Sequence, residues 1–444
     1  MLFRQMFYTT NAVTRLAAFA AMLVWAGGSA IAKPLLTNSQ STYVSACVEQ
    51  DDTPERLVEI CQLGLGAAGA SYRQRIDMLD RLAWAYFDLD DYDASDRAFS
   101  EILELNPEAE PGLQGKAWIL YYHDDYGLAT ELFRKAVSRK PTARNMAGLA
   151  ASALYGGQSN VEEFEARMRA AMALDPEYTW AIRQLAWELS DQGRNDEALD
   201  LFRSAIEIDP SDSYAEYGMA FVLSEQDRWE PAFEHVTRTL ELHPEFVAAL
   251  SRRSLILLML DRPKQALKDA EAVIAAKPDD ADGYVRKARA LSELGQRSQA
   301  HSVLEMAEAR AGPSSYLLFW RARLLADDYS YDEALIHIRR SIKLDGADHF
   351  DHRLHAEIAL WLEDRQEARE AIDQALALSP DAPYVQYVDV LVMLAEGEFD
   401  AAEDRFDAAM EAGLSPDYLS DFLSVLVAEG RFVQAIKLRV RYNS

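Results

Sequence analysis

The chain is short of positive charge, of cysteine and of long apolar runs, and each shortage excludes something. Its 444 residues carry 45 lysines and arginines against 73 aspartates and glutamates, a formal net charge of −28. Phosphate backbones and anionic headgroups need a basic surface, so the balance argues against nucleic acid and anionic membrane surfaces as partners. After residue 32 no stretch of membrane-spanning length is free of charge, and the body of the protein is expected to be soluble. Catalytic signatures are missing as well. There is no phosphate-cradling glycine loop, no nucleophile elbow and no His-Glu-x-x-His. The expectation is a non-enzymatic protein with no cofactor, no catalytic residues and no metal site. Apolar residues still make up 49% of the chain, enough for a large core, so it is not a disordered one.

The apolar run that does exist lies at the start. Arg4 and Arg15 precede Leu16 to Trp25, Gly27-Gly28-Ser29 breaks the run, and Ala30-Ile31-Ala32 offers a cleavage site before Lys33-Pro34. Residues 1–32 therefore read as a cleavable signal peptide, with an uncleaved anchor as the alternative. The two cysteines, Cys47 and Cys61, have thirteen residues between them. In an exported protein an isolated pair of this kind reads as a disulfide, with two buried thiols as the alternative. The spacing is far from the C-x-x-C of redox catalysis.

What the sequence has in abundance is repetition. Ala198, Ala232, Ala266, Ala300, Ala334, Ala368 and Ala402 stand 34 apart, with Ala129 two repeats upstream and displaced by one residue. A second ladder of small residues, Ala186, Ala220, Ser254, Ala288, Ala322 and Ala356, keeps the same spacing. Small side chains let two antiparallel helices approach closely. The larger residue four places after each second-helix alanine (Phe99, Phe133, Phe202, Val236, Ile338, Phe406) is expected to fill the space between neighbouring units. Gly193, Gly295, Gly397 and Gly430 fall where the turn inside a pair needs positive φ. Prolines after Asn106 and Asp209 end one unit and begin the next.

The stretch Leu185 to Pro210, with its L-A-x-x-L start, glycine turn, A-x-x-x-F and closing proline, resembles the tetratricopeptide repeat. The resemblance covers ten units over 76–415 and a final helix pair, 416–444. It implies an all-α, right-handed superhelical solenoid of antiparallel helix pairs. Residues 33–75, holding Cys47 and Cys61, are similar to the capping pair of exported proteobacterial repeat proteins. Together with the signal peptide, that likeness implies the periplasm, or secretion, in a Gram-negative bacterium. Gly312-Pro313-Ser314-Ser315 is the expected junction between a first block, 76–312, and a second, 313–444. Two departures stand out. The unit 143–178 carries an extra residue near Gly156-Gly157, and Arg253 stands beside Ser254 where a leucine is usual.

In such arrays the first helix of each repeat lines a concave groove, and the residue after the small one points into it. The resemblance thus implies groove residues Trp84, Trp118, Trp187 and Phe221, then Arg289 and Arg323, with Tyr217 and Arg286 about one turn earlier on their helices. Aromatic and arginine enrichment suits a protein-binding surface. The expected function is a scaffold holding an extended protein or peptide ligand, one bearing a carboxylate where Arg286, Arg289 and Arg323 converge. The bland alternative pairs each arginine with a neighbour such as Asp282, Glu293 or Asp327. Two other classes compete: an assembly subunit that uses its convex face or ends, and a glycan-processing enzyme with Asp77, Asp80 or Glu357 as acids. His352 and His355, one helical turn apart, are the best metal candidates, but packing is the better reading. The acidic stretch from Asp88 to Asp96 reads as a solvated turn rather than a calcium loop.

Overall fold

The computed structural model describes residues 41–442 apart from 50, 51, 68 and 345–347, so the expected signal segment 1–32 lies outside the described residues. Those residues form an all-α array of successive antiparallel helix pairs, from Ser41–Glu49 to Phe432–Tyr442. The array divides into two compact units, one running through Pro244 and the other from Glu245. The expected junction at 312/313 falls inside the second unit, where Gly312 ends the helix Arg297–Ala311 with φ 79°.

The pair Ser213–Glu225 and Trp229–Leu242 in the first unit shows why the sequence folds this way. Asp212 accepts hydrogen bonds from the amides of Tyr214 and Ala215, occupying orphan donors at the helix start. Ala220 and Ala232 are wholly buried where the two helices meet, as are Val236 and Thr239 further along the second. Both alanine ladders are buried along their length in this way. Phe99 and Phe133 do fill the space between units. Each ring lies over a glycine of the next first helix, Gly115 and Gly148, where a Cβ would come within 2.2 Å and 2.4 Å of it.

Every pair from Tyr72 onward turns through one residue of positive φ. Glycine holds that place at 157, 193, 295, 397 and 430, and Asp90, Asp124, Asp227, Asp261, Tyr329 and Glu363 hold it elsewhere. Aspartate tolerates the left-handed conformation better than most residues, which is the use made of Asp90 in the acidic stretch. Beside it, Asp91 caps the next helix by accepting from the Ala94 amide.

Ahead of these pairs, a disulfide joins Cys47 to Cys61 and ties the helix Ser41–Glu49 to Pro54–Leu65. Both sulfurs are buried against Met78 and Leu82 of the first full pair.

In the second unit, Arg253 has a specific partner. It forms a two-pronged ion pair with Asp269 of the facing helix, at 2.7 and 2.8 Å, beside the Ser254 hydroxyl, which donates to the Ala266 carbonyl at 2.9 Å. The same place in the 34-residue register is repeatedly used like this. Lys287 reaches Glu271 at 2.8 Å, His355 reaches Glu367 at 2.6 Å, and the buried Asp389 sits between Arg369 and Arg405 at 2.7 and 3.0 Å.

Candidate functional site

In the first unit, the first helices bring aromatic residues together. Trp84 meets Phe87 and Phe99 edge-on, each at 5.3 Å, and the Arg144 guanidinium lies over its ring at 5.0 Å. Trp118 is buried, with Trp180 set edge-on against it at 4.8 Å. Trp187, half-buried, contacts Phe202 and Phe221. Tyr217 and Phe221 are buried. The surface of this face is therefore made less by Trp118, Tyr217 and Phe221 than by the groups around them. Arg144 lies over both Trp84 and Tyr178, and Arg183 lies over Tyr214 at 5.3 Å while pairing with Asp212 at 2.5 Å.

Asp80 adds a titrating group to this face. Burial first, then the neighbouring Glu110 carboxylate, push it up to about 6, against the opposing pull of the Trp84 N–H and Arg144. Its Oδ1 is buried without a hydrogen-bond partner among the described residues. Glu110 is held in place by Asn145, which donates to it at 2.6 Å, while Gln114 donates to the Asn145 oxygen at 2.7 Å.

In the second unit the three expected arginines have different surroundings. Arg286 pairs with Asp282 at 3.1 Å and reaches the Ser251 hydroxyl at 3.3 Å. Arg323 is shared between Asp327 at 3.2 Å and Glu357 at 3.4 Å. Arg289 lies over Trp320 of the next pair, its Cζ 4.2 Å from the ring centroid, and no described carboxylate is within ion-pairing distance. Burial and the adjacent Arg286 charge push its pKa down to about 10, which leaves it charged at neutral pH. Tyr316 completes the corner, its hydroxyl donating to Asp282 at 3.4 Å. Glu293 and Asp282 act on Arg289 only through space, and neither forms an ion pair with it.

The other candidates are engaged elsewhere. Glu357 is held by Arg353 as well as Arg323. His355 pairs with Glu367, which also takes both prongs of Arg339, at the side of a cleft of about 470 Å³ that His352 lines. Burial and His355 push His352 down, favouring its neutral form. Among the described residues no group of three or more His, Cys, Asp or Glu is arranged to hold a metal ion.

The sequence reading passed over a second aromatic column near the start of the first helices. Trp180, Tyr214, Tyr316, Phe350, Tyr384 and Tyr418 are separated by 34 residues or multiples of it. Tyr214, Tyr316, Phe350 and Tyr384 are exposed. The column lies seven residues before the expected groove position, almost two helical turns, so the same periodicity would have found it.

Comparison with known proteins agrees with the architecture. Profiles of the tetratricopeptide repeat match residues 76–108, 184–212 and 285–349. Over those stretches the helix-pair array matches the tetratricopeptide repeat. A tetratricopeptide repeat protein from Parabacteroides merdae is similar in structure, with 17% identity over 56% of this chain and 98% of that one, at a TM-score of 0.51. Yeast Tom70 is similar over 91% of this chain and 97% of its own, with 14% identity and a TM-score of 0.50. At these identities the likeness is one of fold. No curated protein matches the sequence.

Proposed function

We propose that the protein is an exported scaffold of the cell envelope that binds extended segments of other proteins along its first-helix faces, and that the Arg289–Trp320 corner receives a carboxylate of the bound segment. The observation that carries this reading is the state of Arg289. The chain is strongly acidic, yet this guanidinium is left without an ion pair and lies over an indole that holds it in place. Arg286 and Arg323 act differently: their own carboxylates hold them, and they shape the site more than they charge it. In the first unit, the exposed guanidinium of Arg144 over Trp84 offers an amphipathic surface to apolar side chains.

The test is fluorescence anisotropy with labelled extended peptides carrying either a free C-terminus or an amidated one. Wild type is expected to prefer the free carboxylate by about tenfold or more, in line with a charge-assisted two-pronged bond of roughly 1.5–3 kcal/mol. Arg289→Ala should abolish the preference while leaving the helix content unchanged. Equal binding of free and amidated peptides would overturn the carboxylate assignment, and no binding of either would overturn the groove.

A further inference from the structure

A different part of the second unit carries an exposed set of rings for which peptide binding along the first helices has no use. Tyr329 and Trp361 are 77% and 67% exposed, the most exposed large apolar side chains among the described residues. They belong to two successive helix-pair turns. Tyr329 is the left-handed residue of one turn, and Trp361 ends the helix that leads into the next. Between them, Tyr331 is packed against the core cluster that holds Ala334 and Ile338, and it stacks on Trp361, with centroids 5.5 Å apart and planes 5° from parallel. One face of the indole is thereby fixed against the tyrosine, and its high exposure means the opposite face is open to solvent.

The backbone makes this more than a chance of side-chain position. The left-handed place is filled by glycine or aspartate in all turns of this kind but two. A tyrosine there strains the backbone and contributes little packing in return. Strain of this sort clusters where a residue serves an interaction.

The charges around the rings say what would cover them. Asp332 and Glu333 follow Tyr331, and Glu363 follows Trp361. All three are exposed and have no ion-pair partner among the described residues. Asp327 and Asp328, by contrast, are paired with Arg323 and Arg297, and Arg365 is the nearby exposed cation. Elsewhere this chain completes such rings itself, with Arg144 over Trp84 and Arg289 over Trp320. No described cation lies over Trp361. The negative face of an aromatic ring attracts a guanidinium or ammonium group, and more strongly when carboxylates border it.

We infer that the Tyr329–Tyr331–Trp361 edge is a docking site for a basic segment of a partner protein, with an arginine or lysine seated on the open face of Trp361 and its neighbours facing Asp332, Glu333 and Glu363. The site is separate from the Arg289 corner, so either assignment can fail while the other stands.

The full chain labelled with 5-fluorotryptophan tests it, the Trp361 fluorine resonance being assigned through Trp361→Phe. The probe is acetyl-Gly-Arg-Gly-Arg-Gly-amide, and the control is the same peptide with citrulline, which keeps the shape and removes the charge. The arginine peptide is expected to shift the Trp361 resonance saturably and the citrulline peptide not to. The apparent affinity should fall several-fold as salt rises from about 20 mM to about 0.3 M. Tyr331→Ala should weaken the response, with the other tryptophan resonances unmoved as proof of folding. Overturning results would be no shift with the arginine peptide or an equal shift with the citrulline peptide. Concentration-dependent broadening of Trp361 without peptide would also overturn it, because a second copy would then be the occupant.

Discussion

The ring of Phe202 lies over Gly218 of the next first helix, where a Cβ would stand 2.3 Å from it. Phe202 is wholly buried and has nowhere to retreat. Gly218→Ala is therefore expected to cost about 1–3 kcal/mol, although alanine is the better helix former by up to about 1 kcal/mol. Chemical denaturation checks the loss. Hydrogen exchange should place the damage in the helices from Thr179 to Leu242, because in a repeat array each pair contacts only its neighbours. An unchanged or raised stability would contradict the packing described.

Asp80 gives the first unit a pH dependence of known sign. Its folded pKa of about 6 lies above the ordinary value of 3.8, so the fold favours the protonated form. The stability it contributes is present in full below the ordinary value and is lost as pH rises through 6. Asparagine keeps the shape and cannot ionise. Asp80→Asn should melt higher than wild type at about pH 7.5 and at the same temperature at about pH 4, as read by calorimetry at the two values. A variant that gains nothing at the higher pH would show that the carboxylate is not held against its ionisation.

Much of this was legible before the fold was known, because close helix packing admits few side chains. The alanine ladders declare themselves in the sequence, as does the 34-residue period. Other features leave no such mark. Asp90 and Asp124 are ordinary turn residues by type, and only the backbone shows that they do the work of Gly193 and Gly295. Arg253 looks like a fault in the pattern until Asp269, sixteen residues on, is seen beside it. The burial of Trp118 could not be read from helix phase, since Trp180, set edge-on against it, comes from a unit two pairs further along the chain.

Glu363 is a left-handed residue whose side chain adds little to the stability of the fold. Its φ is 60° and it is exposed. Glu363→Gly is expected to raise stability by about 0.5–1 kcal/mol, the relief of strain exceeding the added freedom of the unfolded chain. Midpoints of urea unfolding for the second unit measure it. A loss of stability would mean that the turn is held by something other than its backbone preference.

The proposed export and the disulfide can be checked together. Intact mass of the secreted protein should correspond to a chain beginning at Lys33, with no free thiol to alkylate until it is reduced. Reduction should then lower stability by about 3 kcal/mol, the chain-entropy value for a loop of this length. A different start, or two thiols that alkylate without reduction, would refute the corresponding half.

The left-handed turn inside each pair also matters to the protein while it is being made. A turn such as Asp227 or Gly295 commits the chain to reverse using only residues already synthesised, and the two helices it joins find each other at once. A growing chain built this way never waits for a distant partner, as a strand in a large sheet must. At any moment only the newest pair has an uncovered apolar side, and the next thirty-odd residues to emerge cover it. The hazard of exposing sticky surface during synthesis is thus kept to one pair at a time, however long the array becomes.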